Sequence, residues 1–258
     1  MTAYNTMELM ICLAARELED GSSIFVGTGA PCAAAMLAQQ TGSPHLLVIF
    51  EAGGVGALLP TMPVSVGDSR TFHQGIAAGS MSDVMDACQR GMIDYSFLGC
   101  GQIDPFGNIN STCIGDHRRP NVRLPGSGGA NDLASLSWRT LVITLQNRRR
   151  FVEQVDFLTT PGFLTGPGAR EEAGLPPNTG PHRVFTNLCV IGFDAATKRM
   201  QVERIHPGVT REEVIDNTGF ELLWSDDLAV SEPPTDEELH ALRTYVDPRR
   251  YIIGRGWP

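Results

Sequence analysis

The chain has 258 residues, of which 42% are hydrophobic and 19% are charged, and its formal net charge is -9. This composition excludes an intrinsically disordered chain, and the acidic balance argues against a surface for nucleic acid or anionic lipid. No apolar run approaches the roughly 20 residues that span a bilayer, and the first residues lack a signal-peptide pattern. We therefore expect a cytoplasmic protein with no membrane and no nucleic-acid partner.

The first half of the chain alternates helix and strand patterns. Asn5 and Glu8 form a capping box at the start of a helix whose pattern stops at Gly21. The elements predicted next are a strand at Ile24–Val26, a helix opened by Pro31 that runs over Ala33–Gln40, a strand at Leu46–Phe50, a helix capped by Ser82 that runs to Gln89, and a strand at Tyr95–Leu98. This alternation predicts an α/β fold with an open, largely parallel or mixed sheet flanked by helices.

The second half mixes strands with shorter helices. Its predicted elements are a strand at Leu141–Leu145, a hairpin of Val184–Phe193 and Met200–Ile205, a short helix started by the Thr210–Glu213 capping box, and a last helix over Asp236–Tyr245 started by Thr235 and Glu238. Residues 159–181 are rich in Gly and Pro, but the composition does not change there. We therefore expect a single domain over residues 1–258.

The six cysteines are scattered, mostly within apolar segments, without a C-x-x-C pair. This distribution predicts buried free thiols in a reducing compartment rather than a disulfide framework. The six histidines are dispersed and show no ligand spacing, so we expect no metal site.

Glu51 is the first candidate for chemistry, because it directly follows the apolar strand in LLVIFEAGGVG. Open α/β sheets gather their ligands outside the carboxyl ends of their strands. The small residues after Glu51 offer little competing solvation, which favours a nucleophilic carboxylate or one with a raised pKa. A strand-end acid that caps a helix or pairs with an arginine is the alternative.

Two glycine-rich turns are further candidates. GSGGAND, residues 126–132, exposes backbone N–H groups that could cradle an anion or stabilise an oxyanion; the alternative is a tight turn before a helix that starts at Asn131. GTGAP, residues 27–31, lies between a strand and a helix but lacks the third glycine of a dinucleotide fingerprint. A close approach of its backbone, at Gly27 and Gly29, to some other ligand stays open.

A polar segment, GCGQIDPFGNINST, covers residues 99–112. Its Asp104-Pro105-Phe106-Gly107 sequence predicts a turn in which proline fixes the second position. Gln102, Asn108 and Asn110 supply neutral polar groups beside it. These amides either hold a substrate or satisfy the backbone of the turn.

Taken in order, these segments resemble the B subunit of the glutaconate type of family I CoA-transferases. The resemblance rests on Glu51 after its strand, GCGQIDPFGNINSTCIGD, GSGGAND, RRRFVEQVDFLTTPGF and GPGAREEAGLP, and it extends from Asn5 to the DPRRY near residue 250. It implies a catalytic glutamate in an E-x-G motif, Glu51-Ala52-Gly53. It also implies that Gly129 of the GGA loop gives a backbone N–H to an oxyanion hole, with Gly128 beside it in the binding site.

The resemblance implies a transfer of CoA from an acyl-CoA to a carboxylic acid through a glutamyl-CoA thioester on Glu51. Coenzyme A enters as a substrate, and no tightly bound cofactor or metal is expected. The chain is expected to act only with a CoA-transferase A subunit, in a heterotetramer. Two alternatives stay open: a CoA-ester hydrolase (including C–C ring hydrolysis) or decarboxylase on the same fold, and a non-catalytic partner subunit.

Overall fold

The computed structural model describes residues 3–254. The helices in that range are α1 (Thr6–Arg16), α2 (Ala30–Gln40), α3 (Met81–Gln89), α4 (Ala130–Leu136), α5 (Ala169–Glu172), α6 (Arg211–Asp216) and α7 (Asp236–Ala241), which continues as a π-helical turn over Leu242–Val246. The strands are β1 (Ser23–Val26), β2 (Leu47–Phe50), β3 (Gly54–Val55), β4 (Ala77–Ala78), β5 (Tyr95–Leu98), β6 (Gln102–Ile103), β7 (Ile109–Asn110), β8 (Cys113–Ile114), β9 (Val122–Arg123), β10 (Arg139–Ile143), β11 (Pro181–Phe185), β12 (Cys189–Phe193), β13 (Met200–Ile205) and β14 (Leu223–Val230). A 3₁₀ turn lies at Ser69–Phe72.

The contacts divide the chain into two compact units. Unit 1 comprises residues 1–97 and 232–258, and unit 2 comprises residues 98–231. Each has strands in a mixed sheet together with helices, so the predicted α/β class with a parallel and mixed sheet is confirmed. The expectation of a single domain over residues 1–258 stays a prediction.

The sheet of unit 1 has the strand order β5-β1-β2-β3-β4. β5, β1 and β2 are parallel, and β3 and β4 continue the sheet antiparallel. β1 is buried along its whole length, and Val48, Ile49 and Phe50 of β2 are buried as well. Continuous apolar runs of this kind suit strands that are covered on both faces.

Capping residues fix where the helices of unit 1 begin. The predicted box at α1 is confirmed: Asn5 Oδ1 accepts the Glu8 N–H at 3.0 Å, and the Glu8 carboxylate accepts the Asn5 N–H at 2.9 Å. The prediction that Ser82 caps α3 was wrong. Ser80 is the cap, because the acid that completes the box, Asp83, lies three residues after it.

The strands of unit 2 lie in the order β14-β13-β12-β11-β10 in their sheet. β12 and β13 form the predicted hairpin, but the single strand predicted over Val184–Phe193 is two strands, β11 and β12. The run breaks because Thr186 Oγ1 accepts the backbone N–H groups of Leu188 at 3.1 Å and Cys189 at 2.9 Å. A threonine hydroxyl that satisfies the backbone in this way favours a turn over a continued strand.

All six cysteines are free, as predicted, and all but Cys100 are buried. Burial raises the pKa of the Cys12, Cys32 and Cys189 thiols to about 12, so these groups stay protonated and unreactive. Within residues 3–254, no group of three or more His, Cys, Asp or Glu side chains is arranged to hold a metal ion. Over the same range, every helix is too short or too polar to cross a bilayer.

Candidate active site

Glu51 and Gly27 begin the turns that follow two neighbouring parallel strands. Val26, the last residue of β1, is in register with Phe50, the last residue of β2. The residues after these two therefore leave the sheet at the same carboxyl edge. Unit 1 thus has its acidic candidate and its glycine turn side by side, where an open α/β sheet is expected to bind ligands.

The Glu51 side chain is half-buried. Within residues 3–254, its carboxylate forms no hydrogen bond and no ion pair. The turn around it is fixed by the backbone, since the Gly53 N–H donates to the Phe50 carbonyl oxygen at 2.9 Å and the Gly79 N–H donates to the Gly53 carbonyl oxygen at 2.9 Å. A turn fixed by backbone hydrogen bonds thus presents a carboxylate without a partner among the described residues, which suits a nucleophile or a general base.

Gly53 and Gly54 are glycines for steric reasons. Gly53 has φ +106°, a value that L side chains rarely adopt, and a Cβ there would overlap the Gly79 carbonyl oxygen. A Cβ on Gly54 would overlap the Thr71 carbonyl oxygen. The small residues after Glu51 therefore let the backbone of the turn approach the neighbouring chain closely.

The turn at Gly27–Gly29 leads into α2, and Pro31 lies in the first turn of that helix as predicted. Gly29 caps α2 with φ +81°. Thr28 and Gly29 line a cavity of about 350 Å³, together with Met62, Pro63, Val64, Tyr251 and Ile252. The turn thus borders a concave surface of unit 1.

The GSGGAND loop in unit 2 is a tight turn that leads into α4. Gly126 and Gly128 have φ values of +97° and +50°, and Gly129 caps the helix with φ -78° and ψ 0°. The helix begins at Ala130, one residue before the predicted Asn131. Gly129 is buried, and its N–H has no acceptor within residues 3–254. The structure therefore leaves this backbone donor without an acceptor among the described residues.

Three side chains that were not among the predicted site residues hold this loop in place. Ser111 and Gly126 are joined twice: the Gly126 N–H donates to the Ser111 carbonyl oxygen at 2.8 Å, and Ser111 Oγ donates to the Gly126 carbonyl oxygen at 2.9 Å. Asn131 Nδ2 donates to the Thr159 carbonyl oxygen at 2.8 Å, and Thr159 Oγ1 accepts the Ser111 N–H at 2.9 Å. We call Ser111, Asn131 and Thr159 the loop clamp. Asn131 could have been selected from the sequence, since it belongs to GSGGAND. No local pattern, however, indicates that Thr159 is its partner.

The amides of Gln102, Asn108 and Asn110 are buried and hydrogen-bonded within the protein. Asn110 Nδ2 donates to Gln102 Oε1 at 2.7 Å and to the Cys113 carbonyl oxygen at 2.6 Å. Asn108 Oδ1 accepts the N–H groups of Gly162 at 2.8 Å and Leu164 at 3.1 Å. These contacts favour the loop-stabilising interpretation of the amides over direct contact with a ligand.

Asp104 is a buried titratable group in the same segment. Burial raises the pKa of its carboxyl group to about 6, even though Asn108 Nδ2 and the backbone N–H of Phe106 donate to it. Asp104 and Asn108 line a cavity of about 680 Å³ in unit 2, with Glu153 and Asp156 on its wall. The sequence predicted this turn but not the raised pKa of its first residue.

The predicted site residues fall into two groups. Glu51, Gly27 and Gly29 lie in unit 1, whereas Gly128, Gly129, Gln102, Asn108 and Asn110 lie in unit 2. Within unit 1, the structure brings Glu51 and Gly27 to the same edge of the sheet. Within unit 2, Asn110 is linked to the Gly129 loop through its chain neighbour Ser111 and the loop clamp.

The chain was also found to resemble known proteins. The Coenzyme A transferase family profile matches residues 7–217. The chain is 41% identical over 244 residues to the B subunit of the 3-oxoadipate CoA-transferase of Pseudomonas knackmussii, with 94% of each protein covered. It is 29% identical over 224 residues to the cholesterol ring-cleaving hydrolase IpdB subunit of Rhodococcus jostii, which covers 85% of this chain and 82% of that protein. The solved structure of glutaconate coenzyme A-transferase from Acidaminococcus fermentans matches with a TM-score of 0.93 and 33% identity, over 100% of this chain and 99% of that one.

Proposed function

This chain belongs to the coenzyme A transferase family, and from that membership we propose that Glu51 is the nucleophile that carries CoA between two carboxylic acids. The chain is a CoA-transferase subunit of the B type, with coenzyme A as a substrate. One observation supports the role of Glu51 above the others. Its carboxylate ends a buried strand, is half-buried, and has no partner within residues 3–254.

The proposed reaction begins when a Glu51 carboxylate oxygen attacks the thioester carbonyl carbon of the acyl-CoA. The C–S bond breaks, which gives a mixed anhydride on Glu51 and free CoA thiolate. The thiolate then attacks the glutamyl carbonyl carbon, so that the donor acid leaves as a carboxylate and a glutamyl-CoA thioester remains. An acceptor carboxylate reverses both steps, leaves as the new acyl-CoA, and restores Glu51.

Each step conserves the energy of the thioester, so the reaction requires neither ATP nor a metal ion. Both covalent intermediates hydrolyse in water, and the site therefore has to exclude water while they exist. The apolar strand before Glu51 and the close-packed glycines after it are consistent with this requirement.

Each attack on a carbonyl carbon places negative charge on the carbonyl oxygen. We assign the Gly129 N–H as a donor to this oxyanion, with Gly128 next to it, because that N–H has no acceptor in residues 3–254. A preorganised donor of this kind contributes on the order of 3 kcal/mol to the transition state. The loop clamp supports this role, since it holds the loop before the substrate arrives.

The remaining predicted binding residues have two roles in the proposal. The backbone at Gly27 and Gly29 contacts the substrate or CoA at the strand edge that also carries Glu51. Gln102, Asn108 and Asn110 contribute to substrate binding through the loops that they stabilise, because their amides are already bonded within the protein.

The proposal includes a partner chain. The 3-oxoadipate and glutaconate relatives are each the B subunit of their enzyme, and we propose that this chain acts with a CoA-transferase A subunit, in a heterotetramer, in the cytoplasm. This partner would supply further groups that recognise the acyl substrate.

Residues 58–81 of unit 1 expose several apolar side chains, which suits such a partner. Val64 and Ile76 are 73% and 75% exposed, and Leu58 and Met81 are about half exposed, at 46% and 54%. β4 lies within residues 58–81 and is an edge strand of the sheet. These residues follow the Glu51 turn along the chain. An edge strand beside exposed apolar side chains is a surface that proteins usually cover.

A CoA-ester hydrolase is the second candidate, because a hydrolase subunit is 29% identical to this chain. The test is to reconstitute the chain with its A-type partner and to follow acyl-CoA with and without an acceptor acid. A transferase consumes acyl-CoA in proportion to the acceptor and returns an equal amount of new acyl-CoA. Consumption at the same rate without an acceptor would identify a hydrolase or decarboxylase. Full activity in Glu51→Ala would leave only a scaffolding role for this chain.

A further inference from the structure

Unit 2 contains a positively charged cavity that the proposed reaction does not use. The cavity has a volume of about 340 Å³, enough for a small organic anion. Two of its lining residues, Arg170 and Lys198, are cationic, and Glu171 is the carboxylate on its wall. A cavity with an excess of positive charge contrasts with the formal charge of -9 of the whole chain.

Arg170 places a buried charge at this cavity without a counter-ion. The residue is 2% exposed, and no carboxylate forms an ion pair with it within residues 3–254. Its Nη atoms donate to the carbonyl oxygens of Gly162 at 2.8 Å and Ser135 at 3.1 Å and to Thr179 Oγ1 at 2.8 Å, all of them neutral acceptors. The buried Nε atom has no acceptor in that range.

This environment is costly for the guanidinium. Burial lowers the pKa of Arg170 to about 10, which the charge of Glu171 only partly opposes. A buried charge is normally paired with an opposite charge, because neutral acceptors recover only part of the free energy that is lost on desolvation. An anion in the adjoining cavity would offset that cost without any change in the fold.

Lys198 supplies an ammonium group that can contact such an anion directly. Its Nζ lies 5.4 Å from the centroid of the Phe163 ring, and no carboxylate pairs with it in residues 3–254. Gly180 lies between the Phe163 ring and the Arg170 side chain. A Cβ built on it would lie 2.9 Å from Phe163 Cε1 and 3.4 Å from Arg170 Cδ. The aromatic ring, the lysine and the buried arginine therefore border the same space.

We propose that this cavity binds a small anionic ligand through a phosphate or carboxylate group. The anionic group contacts the Lys198 ammonium, and Arg170 acts as a fixed positive charge beneath it. Its lining residues all belong to unit 2 and include neither Glu51 nor Gly129, and the proposal does not depend on the transferase reaction.

The sequence offers a selective probe of this site, because Lys198 is the single lysine of the chain. Reductive methylation of the full-length chain with ¹³C-formaldehyde adds ¹³C-methyl groups to Lys198 and to the α-amino group, and both amines keep their positive charge. The chain is then titrated with inorganic pyrophosphate and, separately, with succinate at constant ionic strength. We expect a saturable shift of the Lys198 methyl resonance with at least one anion, and the anion that saturates at the lower concentration identifies the preferred group. If neither anion gives saturation, or if the α-amino resonance shifts in parallel, the proposal is overturned.

Matched variants separate this site from a general attraction of anions. Lys198→Gln removes the contacting charge from the cavity wall, whereas Arg149→Gln removes a charge from an exposed position of the same unit outside the cavity. By calorimetry, we expect Lys198→Gln to weaken binding of the saturating anion by about tenfold or more, and Arg149→Gln to leave it within about twofold. Equal effects of the two substitutions would contradict a built site.

Discussion

Gly53 shows how a residue without a side chain positions the candidate nucleophile. Its φ of +106° and its close approach to the Gly79 carbonyl oxygen leave no space for a Cβ. We expect Gly53→Ala to lower the free energy of unfolding by about 2 kcal/mol, because strain and overlap coincide there. Gly42→Ala is the matched control, since nothing lies within 4 Å of a Cβ at that position. Equal stability of the two variants in thermal unfolding would show that the turn is not constrained.

Asn131 tests whether the loop clamp matters for chemistry rather than for folding. Its Nδ2 donates to the Thr159 carbonyl oxygen at 2.8 Å, and Asn217 Nδ2 donates to the Glu213 carbonyl oxygen at 2.9 Å on another part of unit 2. In the reconstituted enzyme, we expect Asn131→Ala to lower kcat about tenfold or more, because the Gly129 N–H loses its position, while KM for the acyl-CoA changes little. Asn217→Ala should change neither constant. A rise in KM with an unchanged kcat would contradict a positioning role for Asn131.

Only some residues of the candidate site could be predicted from the sequence. Glu51 could be selected because it interrupts an apolar run, and that signal is local. The partners of Asn131 and Ser111 could not, because Thr159 lies 28 residues from Asn131 along the chain and 48 from Ser111. Contacts over that separation depend on tertiary packing, which local patterns do not encode.

Two partly buried ion pairs attach α1 to the C-terminal segment of unit 1. Arg243 donates to the Glu8 carboxylate at 2.6 and 2.8 Å, and Arg16 donates to the Glu238 carboxylate at 2.6 and 2.7 Å. Burial raises the pKa of each carboxyl group, but the arginine and capping hydrogen bonds outweigh it, so that both pKa values lie below the ordinary 4.5. The attachment of α1 to α7 and to the turn after it therefore depends on ionised Glu8 and Glu238.

The pH dependence of stability follows from these lowered pKa values. Because the folded state holds Glu8 and Glu238 ionised, their contribution is fully present above about pH 4.5 and is lost as the pH falls through their folded-state pKa values. We expect Arg243→Gln to lower the free energy of unfolding by about 2 kcal/mol at pH 7, since it removes both hydrogen bonds of Arg243 to the buried Glu8 carboxylate. We also expect the free energy of unfolding of this variant to fall less steeply as the pH is lowered. Denaturant unfolding from pH 7 to pH 3 measures both effects. Arg249→Gln, at an exposed position, is the control, and an equal loss in that variant would contradict the assignment.

At the scale of elements, the local signals that predicted well were capping boxes and buried strands. The boxes at Asn5, Thr210 and Thr235 fixed three helix starts correctly. β14 was missed, because Leu223–Val230 contains two consecutive aspartates and no buried residue, so it lacks the apolar pattern of a core strand. β14 forms because it pairs with β13, and the sequence of a strand does not show which strand it pairs with.

At the scale of the whole molecule, the exposed apolar residues of unit 1 predict the docking surface for the proposed partner chain. Ile76→Asp places a charge at a side chain that is 75% exposed, so the isolated chain should keep its stability. We expect this variant to bind the partner chain at least about tenfold more weakly, because burial of an unpaired carboxylate is costly. Ile215→Asp on α6, at a side chain that is 50% exposed in unit 2, is the matched control. Sedimentation of the mixed chains measures both, and normal assembly of Ile76→Asp would exclude this surface.

Covalent trapping on Glu51 tests the proposed mechanism most directly. The reconstituted enzyme is incubated with acyl-CoA, treated with borohydride, digested and mapped by mass spectrometry. The mechanism predicts that the peptide containing Glu51 carries CoA before treatment and the corresponding alcohol after it, because borohydride reduces a thioester but not a free carboxylate. An unmodified Glu51 in an enzyme that turns over, together with full transfer by Glu51→Gln, would contradict it.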